Sequence, residues 1–218
     1  MKFLKFKKKK FKLEKDHYIT VSGKKLYRIK ALKSFGDVSK GEVGGYIEHE
    51  YNLSHDGNCW IYDSAKVMDD ALITHNAKLY DKVLVRDTAS VGGNAIIAGK
   101  AYISGDAVLS GNIHVKGNAI IRNTEITGNN RIGSCASIER EDDVICIGPI
   151  GSRNDYTTFY KTKDNGIWVR CGCFNNSINA FEKEVKKTHK DNPKIKLQYL
   201  TTIKYVRLLF GIKREEES

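Results

Sequence analysis

Residues 65–121 read AKVMDDALITHNAKLYDKVLVRDTASVGGNAIIAGKAYISGDAVLSGNIHVKGNAII, and their spacing decides the fold. An aliphatic residue returns every six positions: Ile61, Val67, Ile73, Leu79, Val85, Val91, Ile97, Ile103, Leu109, Val115 and Ile121. Two positions ahead of each, from Val67 onward, stands a small or aliphatic residue: Ala65, Ala71, Ala77, Val83, Ala89, Ala95, Ala101, Ala107, Ile113 and Ala119. Two positions behind come Asp63, Asp69, His75, Asp81, Asp87, Gly93, Gly99, Gly105, Gly111, Gly117 and Asn123, with no β-branched residue among them.

A residue and its second neighbour face the same side of a strand, so the first two columns point inward together. Gly, Asp and Asn tolerate left-handed backbone or cap their own turn, so the third column marks corners. Each hexad is a short strand and a corner, and three of them close a triangular coil. Coils stacked at about 4.8 Å give a prism roughly 20–25 Å long over residues 59–145. A helix is excluded, because six is not a multiple of 3.6 and the Gly column would fall inside it. After Ile121 the series resumes at Ile126, Ile132, Ile138 and Val144, one residue short. There the corner column decays to Gly128, Ser134 and Arg140, as expected of a last coil loosening into a cap. Open solenoid ends need covering, and the flanking segments are the expected covers.

The pattern resembles the hexapeptide-repeat left-handed β-helix superfamily; the left hand is what that resemblance implies. Residues 41–67, GEVGGYIEHEYNLSHDGNCWIYDSAKV, resemble the lead-in motif of transferase-like hexapeptide-repeat proteins of bacteria and bacteriophages with unassigned activity. Gly44, Gly45, Asn52, Leu53, Gly57, Asn58, Cys59 and Trp60 carry that match. Trp60 is expected to plug the first coil.

The rest of the chain divides around this core. Residues 1–16 read as a basic arm and 17–58 as a hairpin and lead-in cap, with a turn at Ser22-Gly23. Residues 146–218 read as a small ββαα module. Its hairpin pairs 156–163 with IWVRCGCF around Asp164-Asn165-Gly166. Its first helix is capped by Ser177 and faces inward with Ile178, Phe181 and Val185, with His189 a further candidate for that face; its second uses Leu197, Leu200, Ile203, Val206 and Phe210. The fold class is mainly β: a left-handed parallel β-helix with an N-terminal hairpin cap and this C-terminal module.

Of 218 residues, 40% are hydrophobic and 29% charged, which fits a soluble globular protein. No stretch approaches the roughly 18 unbroken apolar residues of a membrane span, so no membrane partner is expected. The start, MKFLKFKKKKFKLEK, has no apolar region behind its charges; a cytoplasmic location is the expectation. Five cysteines with irregular spacing make a poor disulfide framework. Cys171 and Cys173 are expected to share a strand face as ordinary thiols, and no metal site is assigned.

The formal charge of +11 is concentrated at the ends. Residues 1–30 carry twelve Lys and Arg against Glu14 and Asp16, and residues 146–218 have a net +6. Such ends attract polyanions or act as solvated tails. In IGPIGSRNDYTTFY, residues 147–160, a flexible loop could cradle a phosphate or carboxylate, or simply connect. The binding candidates are therefore Lys7, Lys8, Lys9, Lys10, Lys12, Arg153, Asn154 and Arg170.

The superfamily resemblance also implies a catalytic alternative. Many of its enzymes transfer acyl groups from acetyl-coenzyme A, with a histidine in a cleft between subunits of a trimer. His75, in the corner column, and His114, outward between Ile113 and Val115, are the candidates. The three-histidine zinc chemistry of the superfamily does not fit the spacing of His55, His75 and His114. Cys173, His189 and Asp155 could form a nucleophile constellation, though their spacing does not require them to meet. The reading is a non-catalytic binding or scaffold protein without cofactor, a homo-oligomer with a trimer favoured. Its partner would be nucleic acid or an acidic protein surface, such as a host defence complex if the chain is phage-encoded.

Overall fold

The computed structural model describes residues 9–212. The hexads form a parallel β-solenoid of about five turns. Its first face stacks Lys66–Val67, Leu84–Val85, Tyr102–Ser104, Ile120–Arg122 and Ser137–Ile138. The second stacks Leu72–Ile73, Ser90–Val91, Val108–Leu109 and Glu125–Ile126. The third stacks Trp60–Ile61, Lys78–Leu79, Ile96–Ile97, His114–Val115 and Arg131–Ile132. Lys66 pairs with Leu84 and Leu84 with Tyr102, eighteen residues per turn. The lost residue after Ile121 makes the last turn seventeen: Val108 pairs with Glu125, His114 with Arg131 and Ile120 with Ser137.

The inward columns form one apolar core. From Ala65 to Ala119 and from Ile61 to Ile121 these side chains are fully buried. Each aliphatic so buried stabilises by roughly 1.5–3 kcal/mol. Alanine fits its column because the neighbouring strand closes in at each corner. The corner residues hold left-handed backbone, from φ 48° at Asn123 to φ 93° at Gly111. Their carboxylates serve the adjacent turn rather than their own: Asp63 Oδ2 accepts from Asp81 N (3.0 Å) and Asp81 Oδ2 from Gly99 N (2.8 Å). Beside the corner that follows the second face runs an amide ladder, Asn76 to Asn94 to Asn112 to Asn129, with side-chain hydrogen bonds of 2.9–3.0 Å.

The N-terminal hairpin extends the first face. Phe11–Val21 pairs antiparallel with Lys24–Ala31, which pairs with Val43–Ile47, which runs parallel to Lys66–Val67. Its first strand begins at Phe11, so residues 11–16 lie in the hairpin and not in a free arm. Trp60 is buried beneath Phe11 and Phe35, edge-on to both. The lead-in glycines have a steric cause: a Cβ at Gly44 or Gly45 would lie 2.5 Å from the carbonyl oxygen of Ile61 or Ala65. Asn52 is buried, and its amide donates to the Asp69 and Ala71 carbonyls.

The C-terminal module holds more strand than the sequence suggested. Val144–Ile150, Asp155–Lys161, Ile167–Cys171 and Phe174–Ser177 form a four-stranded antiparallel sheet, backed by α1 (Ile178–Thr188) and α2 (Pro193–Leu209). Residues 147–160 are thus two paired strands joined by a turn, not a flexible loop. Cys171 and Cys173 straddle the turn at Gly172 (φ 57°) and do not share a strand face; Cys173 is exposed. On α2 the buried stripe is Tyr199, Ile203 and Val206, whereas Leu197 is 67% exposed. No helix among the described residues is long and apolar enough to cross a membrane.

Candidate functional site

Where the third face meets the C-terminal sheet, the two surfaces do not close. Val115 and Ile132 point inward, so their neighbours His114, Lys116 and Arg131 point outward. On the facing sheet, Val169 and Cys171 pack toward the helices, which turns Arg170 and its strand partner Asn175 toward the solenoid. The junction is pinned beside the gap. Arg131 N donates to Thr158 Oγ1 (2.9 Å), and the Arg131 guanidinium meets Asp155 Oδ2 at 3.0 Å. Tyr160 Oη donates to Asn175 Oδ1 (2.6 Å), leaving the Asn175 amide NH2 as a donor. Gly133 is needed here, since a Cβ would lie 2.4 Å from Tyr160 Oη.

The result is a cleft of about 460 Å³ lined by His114, Lys116, Arg131, Arg170, Asn175 and small backbone-exposing residues, with no Asp or Glu in its lining. Lys116 and Arg170 form no ion pair among the described residues. Burial first, then the charges of Arg131 and Lys116, hold the His114 imidazole below its ordinary value. Lys116 and Arg170, without carboxylate partners among the described residues, converge beside Arg131, whose guanidinium is already paired with Asp155; two such cations suit an anion, and a guanidinium presents a planar fork to phosphate or carboxylate.

The candidate residues read from sequence fall in different places. Arg170 and His114 line the cleft. His75 does not: it sits at a corner with φ 57°, its Nδ1 2.9 Å from Thr74 Oγ1. Lys7 and Lys8 lie outside the described residues. Lys9 pairs with Glu50 at 2.6 Å and Lys12 with Glu14 at 2.8 Å. Lys10 is no surface cation: it is 1% exposed, and its ammonium donates to the Cys59 carbonyl (2.9 Å) and reaches Cys59 Sγ at 3.3 Å. Burial lowers its pKa and raises that of Cys59. Arg153 and Asn154 occupy the turn after Ile150 and do not line the cleft, Arg153 lining instead the space between sheet and helices; Asn154 takes φ 48° and its backbone N–H donates to the Gly151 carbonyl.

A second cavity of about 470 Å³ between sheet and helices brings Arg153, Asp155, Cys173 and His189 into one lining. No hydrogen bond joins Cys173, His189 and Asp155 there; instead Cys171 Sγ lies 3.6 Å from Tyr199 Oη, and His189 stacks on the Tyr199 ring. Among the described residues no group of three or more His, Cys, Asp or Glu side chains is placed to hold a metal ion. Lys116, Arg131 and Asn175 were missed by sequence reading. Carrying the seventeen-residue last turn through the outward positions would have placed Arg131 beside His114; nothing local marks Asn175.

No family model matches the chain. It is 44% identical over 52 residues to an uncharacterized acetyltransferase, YdcK, of Escherichia coli (strain K12). The matched stretch is 23% of this chain and 16% of that protein's length, so the chain is similar to a limited part of it.

Proposed function

We propose that this chain is a non-catalytic binding protein, in which the solenoid is the rigid body and the cationic cleft holds anionic groups of a partner, nucleic acid first. The carrying observation is the convergence of His114, Lys116, Arg131 and Arg170 on one cleft without a lining carboxylate. With Lys10 buried, and Lys9 and Lys12 in surface ion pairs with Glu50 and Glu14, this junction is favoured over those three lysines as the binding surface. A cytoplasmic setting and a trimeric body accompany the reading; an acidic face of a host defence complex would present similar chemistry to the cleft. The test is binding of labelled single- and double-stranded RNA and DNA across a salt series, with wild type and the Lys116→Ala/Arg170→Ala variant. Steeply salt-dependent affinity that the double variant weakens supports the role; no binding at low salt removes nucleic acid as the partner.

A second reading is acyl transfer from acetyl-coenzyme A. It is favoured by the similarity to YdcK and by His114, which its surroundings bias toward the neutral form that a general base requires. Acetyl-coenzyme A consumption that disappears in His114→Ala or His75→Ala would establish it and overturn the non-catalytic role.

A further inference from the structure

We infer that the cleft is half of a nucleotide site whose other half is an aromatic shelf on the same solenoid face: an unpaired base stacks on Tyr80 above Ala98, and its phosphate reaches Lys116, Arg131 and Arg170. This rests on the binding role proposed above and narrows the partner to a nucleotide unit with a free base.

The shelf follows from the register. Along the third face the outward column after the buried aliphatics runs Tyr62, Tyr80, Ala98, Lys116, Gly133. The Tyr62 and Tyr80 rings stack with centroids 4.5 Å apart and planes within 6°, close to the strand spacing of about 4.8 Å that carries them. At Ala98 the ring column stops. A planar group one spacing beyond Tyr80 would take the place of the missing ring, where only a methyl stands. The shelf is held from behind: Tyr62 Oη donates to Asp37 Oδ1 (2.9 Å), and Asp37 Oδ2 takes Lys78 Nζ (2.6 Å). Tyr80 is bonded through its backbone, its N–H donating to the Ile97 carbonyl (2.9 Å), while its hydroxyl makes no hydrogen bond among the described residues.

The cleft lies at the right remove. From the Ala98 level, Lys116 is one strand spacing away and Arg131 two, roughly 5 and 10 Å. A ribose bridges base and phosphate over that range. Stacking on an aromatic ring is open to any base, and backbone phosphates supply the electrostatic part, which is how unpaired strands are held without sequence preference. A duplex keeps its bases inside and offers Tyr80 no free face.

The full chain would be titrated with 5′-AMP, ribose 5-phosphate, a short single strand and its duplex, in wild type, Tyr80→Ala, Tyr80→Phe and Ala98→Leu. The expectation is that Tyr80→Ala and Ala98→Leu weaken single-strand binding by about 5- to 150-fold. Tyr80→Phe should bind like wild type, and ribose 5-phosphate affinity should be unmoved throughout. Ala98→Leu keeps the Tyr62–Tyr80 stack, so its effect is not a loss of fold. AMP binding as tight as the strand would identify a free nucleotide as the ligand, and binding of the strand alone would identify the polymer; both support the inference. Unchanged strand affinity in Tyr80→Ala and Ala98→Leu, alongside weakening in Lys116→Ala/Arg170→Ala, would overturn the shelf and keep the cleft. No weakening in any of them would remove the binding role as well.

Discussion

In the solenoid each inward side chain belongs to a column and meets an apolar residue one turn above and below, aliphatic on aliphatic in one column and Ala on Ala in the other except at Val83 and Ile113. In the C-terminal module the core has no repeat: Phe181 stands edge-on to Phe159 and Tyr199, at 74° and 84°, and tilts against Phe174. The first core is built by translation and the second by fitting unlike shapes. The cleft opens where a periodic surface meets an aperiodic one, because a flat ladder and a twisted sheet cannot match side chain for side chain.

The two cores should respond separately to Phe181→Ala. It should cost about 3–5 kcal/mol within the module. Hydrogen exchange would rise over residues 178–209 while amides over 60–121 keep their protection. Simultaneous loss in both regions would mean that the two cores are one cooperative unit. The solenoid should fail for a different reason. At Gly99 φ is 83°, and a Cβ would lie 2.7 Å from both Gly117 N and O. Gly99→Val therefore combines left-handed strain with overpacking, about 2–4 kcal/mol, read as a fall in the denaturation midpoint. Asn94→Ala removes a middle rung of the amide ladder on the exposed corner and should cost about 1 kcal/mol by the same measurement.

How far each region could be read from sequence follows the same division. Column identity fixed the coil, its corners and even the shortened last turn, because a six-residue period constrains every position. The aperiodic part was read locally and erred where tertiary pairing decides. Val144–Ile150 contains Gly148-Pro149, which reads as a breaker, yet it pairs with Asp155–Lys161 across a register shift after Ile147. Phe174–Ser177 carries two Asn of low strand preference and still pairs with Ile167–Cys171. On α2, Leu197 fitted an apolar stripe but Tyr199 is the residue that meets Phe181. Half of the cleft, His114 with Lys116 and Arg131, was encoded in the period; Arg170 and Asn175 arrive only with the sheet.

The smallest expected effect concerns His114. Its pKa lies below the ordinary 6.5, so near neutral pH the imidazole adds no charge to the cleft. Acidification through its lowered pKa protonates it, and anion affinity should rise by about fivefold, the worth of roughly one exposed ion pair at its upper range. His114→Asn should flatten that dependence between pH 7.5 and 5, on the order of the His titration range. A rise that persists unchanged in the variant would place the titrating group elsewhere.

Phosphate binding at the junction cleft would be measured as the salt dependence of single-strand binding in wild type and Lys116→Ala/Arg170→Ala. Loss of two phosphate contacts should reduce the log–log slope by about 1.4 and weaken binding at every salt concentration. An unchanged slope and affinity would contradict the claim and move the anionic partner away from the cleft.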